Sequence, residues 1–109
     1  MHCSIMTDIG IDLVKIERIS LEPAFIKLIL TEQEQKEYAL LTSDRRRKEY
    51  TAGRFAAKEA IFKATGDPRY LHYAILHDET GKPYILHHPE LAVSITHDGG
   101  MAAAVVIQR

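Results

Sequence analysis

The rhythm of apolar and polar positions changes along the chain, from a period near two, to one near 3.6, and back to two. From Ser4 to Ile16 the chain is rich in isoleucine and alternates in part. Ile9, Ile11 and Leu13 share one parity and Gly10, Asp12 and Val14 the other, as in a strand. Pro23 opens a predicted helix over Ala24 to Leu30, because proline is tolerated in the first turn, where its missing N–H has no intrahelical acceptor. Thr31-Glu-Gln-Glu34 has the form of a capping box and starts a short helix that runs to about Leu41. Thr42-Ser-Asp44 is a second stop-and-start signal. A long helix follows from Arg45 to Thr65; Gly66 is placed to end it and Pro68 prevents its resumption. Beyond it the pattern is β: a strand from His72 to His77, a turn from Asp78 to Pro83 and a return strand from Tyr84 to His88. Leu91 to His97 and Met101 to Gln108 then make a hairpin about Asp98-Gly-Gly100, with Asp-Gly as the turn signal. The order predicts one α+β domain, residues 1–109, with a small antiparallel sheet packed on a long central helix.

The long helix raises a question when it is wrapped at about 100° per residue from Tyr50. Ala52, Phe55, Ala56, Phe62, Glu59 and Lys63 gather between about 120° and 240°, with Glu59 near the centre at about 180°. Arg54, Lys58 and Thr65 fall on the other side, at about 40° to 80°. On this reading Glu59 and Lys63 lie on the packing face. A plain i,i+4 ion pair explains surface charges, and both side chains can also reach water from a boundary position. A carboxylate among alanines and phenylalanines otherwise needs a cation, a metal or a ligand. Asp12 presents the same anomaly inside Ile9-Gly-Ile-Asp-Leu-Val14, unless it ends the strand or turns there. Gly10, on the same face, leaves room for another group to approach. Two carboxylates with only oxygen donors could share one divalent ion, and magnesium suits such a set because it keeps water and recruits phosphate oxygens.

Composition narrows the classes. The chain has 109 residues, 46% hydrophobic and 27% charged, as in an ordinary globular domain. A domain this small buries only about two-thirds of its unfolded surface, which favours added stabilisation by oligomerisation. A net charge of -1 gives no global attraction to nucleic acid or membrane. No apolar run approaches the ~20 residues that span a bilayer, and the start MHCSIMTDIGID lacks a signal peptide's basic flank and long apolar stretch. The single cysteine, Cys3, fits a reducing cytoplasm and has no visible helper for a catalytic thiol. The six histidines show no zinc spacing, and neither a Walker phosphate loop nor a dinucleotide fingerprint is present. His97 ends a strand just before the glycine turn, where side chains often face a site, although an exposed turn edge is the plainer reading. Arg45-Arg-Arg-Lys48 opposes the dipole at its helix start, which points either to a solvated end or to an acidic partner.

The two anomalous segments carry a resemblance. Gly10-Ile-Asp12, with Arg18 six residues after the aspartate, is similar to the N-terminal motif of the holo-acyl-carrier-protein synthases. Glu49-Tyr-Thr-Ala-Gly-Arg-Phe-Ala-Ala-Lys-Glu-Ala-Ile-Phe-Lys63 resembles that family's central motif. Leu30-Thr-x-x-Glu34, Asp78-Glu-Thr-Gly-Lys-Pro83 and Val93-Ser-Ile-Thr-His97 follow in the family's order, so nearly the whole chain is covered. The resemblance implies the 4'-phosphopantetheinyl transferase fold and a magnesium-dependent transfer of 4'-phosphopantetheine. The group passes from coenzyme A to a serine of apo-acyl carrier protein, releasing adenosine 3',5'-bisphosphate. It implies a homotrimer with active sites at the subunit interfaces. Asp12 and Glu59 match the metal-binding carboxylates and Lys63 the lysine near the coenzyme A phosphates. Arg54, Gly66, Thr96 and His97 are expected near the nucleotide, and Arg18, Arg46 and Phe55 at the acidic helix of the carrier. Glu59, directly or through a metal-bound water, is the candidate base for the carrier serine.

The chain also departs from the family. Lys63-Ala-Thr-Gly66 is followed by Asp67-Pro-Arg69 where the family usually reads Thr-Gly, which puts a two-glycine backbone phosphate cradle in question, and an added Asp67 could repel phosphate. Pro23, Ala24 and Leu28 stand where basic residues are common before the first helix's Ile-Leu-Thr. These changes motivate a competing reading, a non-catalytic binding module for an acidic carrier or another acidic protein that keeps the fold. A nucleotide hydrolase using the two carboxylates has no support beyond the carboxylates themselves.

Overall fold

The computed structural model describes residues 8–109. In chain order the elements are β1 (Asp8–Lys15), α1 (Pro23–Ile29), α2 (Glu32–Ala39), α3 (Asp44–Thr65), β2 (Ile75–His77), β3 (Pro83–Ile85), β4 (Leu91–Asp98) and β5 (Met101–Gln108). Two 3-10 turns, Ile16–Arg18 and Tyr70–His72, join them. Cys3 and the start of the strand expected from Ser4 lie outside the described residues.

Local signals set most of the boundaries. The capping box forms: Glu34 N–H donates to Thr31 Oγ1 at 3.2 Å and Thr31 N–H to Glu34 Oε1 at 2.8 Å. Ser43 caps α3, accepting from Arg46 N–H at 3.1 Å, and Gly66 ends the helix with φ 84°. The strand expected from His72 starts only at Ile75, because Tyr70–His72 winds into a 3-10 turn. The return strand stops at Ile85, and two residues later His87 takes a φ of 65°, a left-handed conformation that no strand can continue. Between β4 and β5 Asp98 pairs with Met101, which leaves Gly99 and Gly100 as the two turn residues. Both have positive φ, 58° and 79°, as a type I′ turn requires, so the turn pair is Gly-Gly rather than Asp-Gly.

The main sheet is antiparallel in the order β1-β5-β4, and β2 and β3 form a separate hairpin. Helix α3 lies across the inner face of the main sheet. Its buried residues Ala56, Ala57, Ala60, Ile61 and Ala64 pack with Tyr73, Ile75, Ile85, Leu91, Ala104 and Val106.

The inward face of α3 is the reverse of what the sequence pattern suggests, while β1 turns Asp12 and Gly10 inward together as expected. The core face of α3 is centred on Ala57 and Ile61, both fully buried, near 0° of the same wheel at about 100° per residue. Glu59 and Lys63 are therefore on the open side of the helix, while Arg54 and Lys58 are 4% and 3% exposed. The wheel misled because alanine occurs all round the helix, and because Phe62 remains 44% exposed. On β1 Gly10, Asp12 and the apolar Val14 face the helix, and Ile9, Ile11 and Leu13 are exposed at 62%, 64% and 62%. Gly10 explains the close contact. A Cβ there would lie 1.9 Å from the Ala60 carbonyl oxygen, so only glycine lets the strand approach α3.

Candidate active site

The Gly10 contact positions the carboxylates. With Gly10 seated against Ala60, the next inward residue of β1 is Asp12, and it meets the last turns of α3. Lys63 Nζ donates to Asp12 Oδ1 at 3.2 Å and to the Ile11 carbonyl at 3.0 Å. One turn earlier, Glu59 Oε1 accepts from the Tyr70 hydroxyl at 2.5 Å. The Tyr70 ring packs on Phe55 with centroids 5.8 Å apart. Burial and the bond to Glu59, together with the charges of Glu59 and Asp12, push the Tyr70 phenol up to about 12. Both carboxylates thus act on one phenol. The group is partly open: the Lys63 side chain is 50% exposed and that of Asp12 17%.

The donor set fits a hard divalent cation. Asp12 and Glu59 are oxygen donors whose charges both act on Tyr70, and the Lys63 ammonium sits against Asp12. Among the described residues no three His, Cys, Asp or Glu side chains gather to hold a metal. Two protein carboxylates leave the other octahedral positions to water and phosphate oxygens.

The residues expected at the nucleotide lie elsewhere. Arg46, Arg54, His77 and His97 line a cleft of about 350 Å³ between α3, β4 and the β2–β3 hairpin. Arg54 is the anchor of this cleft. Its Nε donates to the Ile75 carbonyl at 3.2 Å, and Nη2 reaches Glu37 Oε1 at 3.5 Å and His77 Nδ1 at 3.2 Å. Its guanidinium carbon sits 3.8 Å from the centre of the Tyr50 ring. Burial, then the Arg54 charge, push His77 below its usual range, which suits an Nδ1 that accepts from Arg54. Thr96 does not join His97. Strand alternation puts it on the outer face, in register with Ala103 and Leu13, while His97 is on the inner one. Gly66 is exposed at the end of α3. Of the residues expected to meet a carrier, Arg18 is exposed in its 3-10 turn and Phe55 packs on Phe25, centroids 6.5 Å apart. Arg46 instead lines the cleft. One chain therefore presents two separate groups, the carboxylates with Lys63 and a cleft that holds Arg46, Glu49, Arg54, His77 and His97.

Three polar residues escaped the sequence reading. Lys58, expected on the solvent side, is buried and donates to Glu34 Oε1 and to the Ile29 carbonyl, both at 2.5 Å. Glu34 Oε2 also accepts from Ile75 N–H at 2.9 Å. The capping box flagged Glu34, but a capping glutamate is ordinarily exposed. Tyr70 carried no signal at all. Asp67 also proves different from expectation. It is neutralised locally, by Arg69 Nε and Nη2, each at 2.9 Å, and by the Tyr73 hydroxyl at 2.7 Å. The Arg69 bonds foremost, then that of Tyr73, hold its carboxyl well below the usual range.

Known proteins of the same kind share this arrangement of elements. Residues 8–106 match the family model described as the 4'-phosphopantetheinyl transferase superfamily. The chain is 47% identical over 109 residues to the holo-acyl-carrier-protein synthase of Halalkalibacterium halodurans, covering 90% of this chain and 91% of that protein. It is 44% identical over 115 residues to the enzyme of the same name from Bacillus subtilis, covering 93% and 94%. The crystal structure of a holo-acyl-carrier-protein synthase from Bacillus anthracis in complex with coenzyme A (3',5'-ADP) superposes with a TM-score of 0.83 at 36% identity, over 92% of this chain and 93% of that one. That of Helicobacter pylori in complex with coenzyme A gives 0.71 at 30% identity, over 90% and 96%.

Proposed function

The chain belongs to the 4'-phosphopantetheinyl transferase superfamily, among its holo-acyl-carrier-protein synthases, and we propose that it uses magnesium to move 4'-phosphopantetheine from coenzyme A to a serine of apo-acyl carrier protein. The observation that carries the reading is the Lys63–Asp12 ion pair on the open side of α3, one turn beyond Glu59, whose partner Tyr70 feels the charges of both carboxylates. Asp12 and Glu59 hold the magnesium, which when bound neutralises pyrophosphate charge and orients the phosphoryl group. Glu59 takes the proton of the serine hydroxyl. The serine oxygen forms its bond to the phosphorus of the pantetheine arm as the bond to adenosine 3',5'-bisphosphate breaks. Lys63 neutralises the charge growing on that leaving group.

The same reading accounts for the two separate groups. Asp12 and Glu59 lie on one side of α3, and Arg54 opens into a cleft on another. The outer row Ile9, Ile11 and Leu13 is an exposed apolar sheet face that a second copy would cover. We therefore assign the chain to a cytoplasmic homotrimer of single domains. In it, the carboxylates of one copy share a coenzyme A with Arg46, Arg54 and His97 of the next, Thr96 lies on the outer sheet face that the copies cover, and Arg18 and Phe55 meet the carrier. Sedimentation equilibrium should return three chain masses. The non-catalytic binding module, motivated by the changed Asp67-Pro68 loop, is not favoured, because relatives 44% and 47% identical over most of the chain are synthases.

The test is the mass of apo-acyl carrier protein after incubation with the chain, coenzyme A and magnesium. The expected result is a gain of one phosphopantetheine that is lost in Asp12→Ala and in Glu59→Ala. Activity retained in both variants would remove the carboxylates from the mechanism.

A further inference from the structure

Tyr70 reaches Glu59 because the segment after α3 is short and clamped. Gly66 turns the chain, and Asp67 N–H donates to Thr65 Oγ1 at 3.1 Å. The Asp67 carboxylate then binds Arg69 twice, through its backbone N–H at 3.0 Å and through its guanidinium. Tyr73 O–H closes the clamp at 2.7 Å. Tyr70 is the next residue and begins the 3-10 turn. Its ring lies against Phe55 and against the α1 cluster of Ile26, Ile29 and Leu30. A ring held from these sides has little freedom, and its hydroxyl falls 2.5 Å from Glu59 Oε1.

We propose that Tyr70 is a positioning residue for Glu59: its hydroxyl occupies Oε1, fixes the carboxylate's rotamer and leaves Oε2 as the oxygen presented to magnesium. A ligand carboxylate with an unconstrained side chain loses rotamer entropy when it binds. A hydrogen-bonded partner removes that loss in advance, and loss of such a partner typically costs about 10- to 100-fold in metal affinity. The Asp67–Arg69 clamp thereby gains a purpose. It delivers the tyrosine to the carboxylate. The inference rests on the reading of Asp12 and Glu59 as the magnesium-holding pair.

The experiment compares the full chain with Tyr70→Phe, which keeps the ring on Phe55 and removes only the hydroxyl. Magnesium is titrated calorimetrically into each with coenzyme A bound. The variant should bind magnesium about tenfold more weakly or worse. Half-saturating magnesium for transfer should rise by the same factor, while kcat at saturating magnesium stays within about twofold. Equal magnesium affinity in the two chains overturns the inference alone. Tighter binding by the variant also overturns it, since the hydroxyl would then compete with the ion. A variant that loses coenzyme A binding, or melts more than about 10 °C lower, assigns the hydroxyl to the fold and overturns it too. No magnesium binding by the unaltered chain overturns the reading of the carboxylates, and this inference with it.

Discussion

Two lysines on one helix each hold a carboxylate, and the two pairs differ in how much of the charge the fold consumes. Lys58 and Glu34 are closed off, with side chains 1% and 0% exposed. Both Glu34 oxygens have donors, from Lys58 and Thr31 on one and Ile75 on the other, and the Lys58 ammonium also reaches the Ile29 carbonyl. This pair ties the end of α1, the cap of α2 and the start of β2 to α3. Lys63 and Asp12 lie nearer the end of the same helix, at 50% and 17% exposure. Asp12 Oδ2 has no partner among the described residues, and Lys63 has one side in water. Buried ions are tolerable only when every bond is made, so the closed pair has nothing left for a ligand. The open pair has kept that capacity. The helix thus holds one pair closed inside the fold and one open to solvent and ligands.

The largest expected effect comes from breaking the closed pair. Lys58→Met leaves Glu34 charged, buried and short of a donor, and should lower unfolding free energy by about 3 to 5 kcal/mol in denaturant titration. Adding Glu34→Gln removes the stranded charge while keeping an acceptor for the cap, and should recover part of the loss. Equal instability of the single and double variants would show that the stranded charge is not the cause. The open pair should respond in the opposite sense. Lys63→Met should cut kcat/KM for carrier modification by about 10²- to 10³-fold. Its stability should change by no more than about 1 kcal/mol, as for other partly exposed pairs. A Lys63 variant that unfolds early while turning over normally would erase the distinction between the pairs.

The contrast also shows where sequence reading works on this chain. The caps at Thr31, Ser43 and Gly66 were legible because each involves a side chain and backbone a few residues apart. Asp12, Glu59 and Lys63 stood out because charges among apolar neighbours are conspicuous at the level of one element. Their facing was not legible. An alanine-rich helix has no strong apolar stripe, and which side meets the sheet depends on Gly10 accepting Ala60 from a distant segment. The outward turn of Ile9, Ile11 and Leu13 likewise follows from the fit of the other face, which Gly10 seats against α3. Glu34 hid behind its local role as a cap, and its partner Lys58 is 24 residues away. Tyr70 and Glu59 meet only because the Asp67–Arg69 clamp bends the chain back, and no periodicity records that.

Asp67–Arg69 provides the finest test, since it falls between the two lysine pairs. Asp67 is 15% exposed at its side chain and Arg69 67%, so solvent screens the pair as it does most surface bridges. The Asp67 carboxyl is depressed in the folded chain, first by Arg69 and then by Tyr73, and returns to its ordinary value of 3.8 on unfolding. As pH falls the unfolded chain therefore takes up this proton first. The contribution is complete above the ordinary value and is lost progressively as pH falls from about 3.8 toward the folded value. Asp67→Asn should flatten that part of the stability curve, measured by denaturant titration between neutral and acid pH. It should leave transfer at neutral pH within about twofold, because the asparagine can still accept from Arg69 and keep Tyr70 in place. An unchanged acid limb would assign the sensitivity to other carboxylates. A large loss of transfer, with magnesium binding weakened as in Tyr70→Phe, would instead place Asp67 with the open pair, as part of the machinery that aims Glu59.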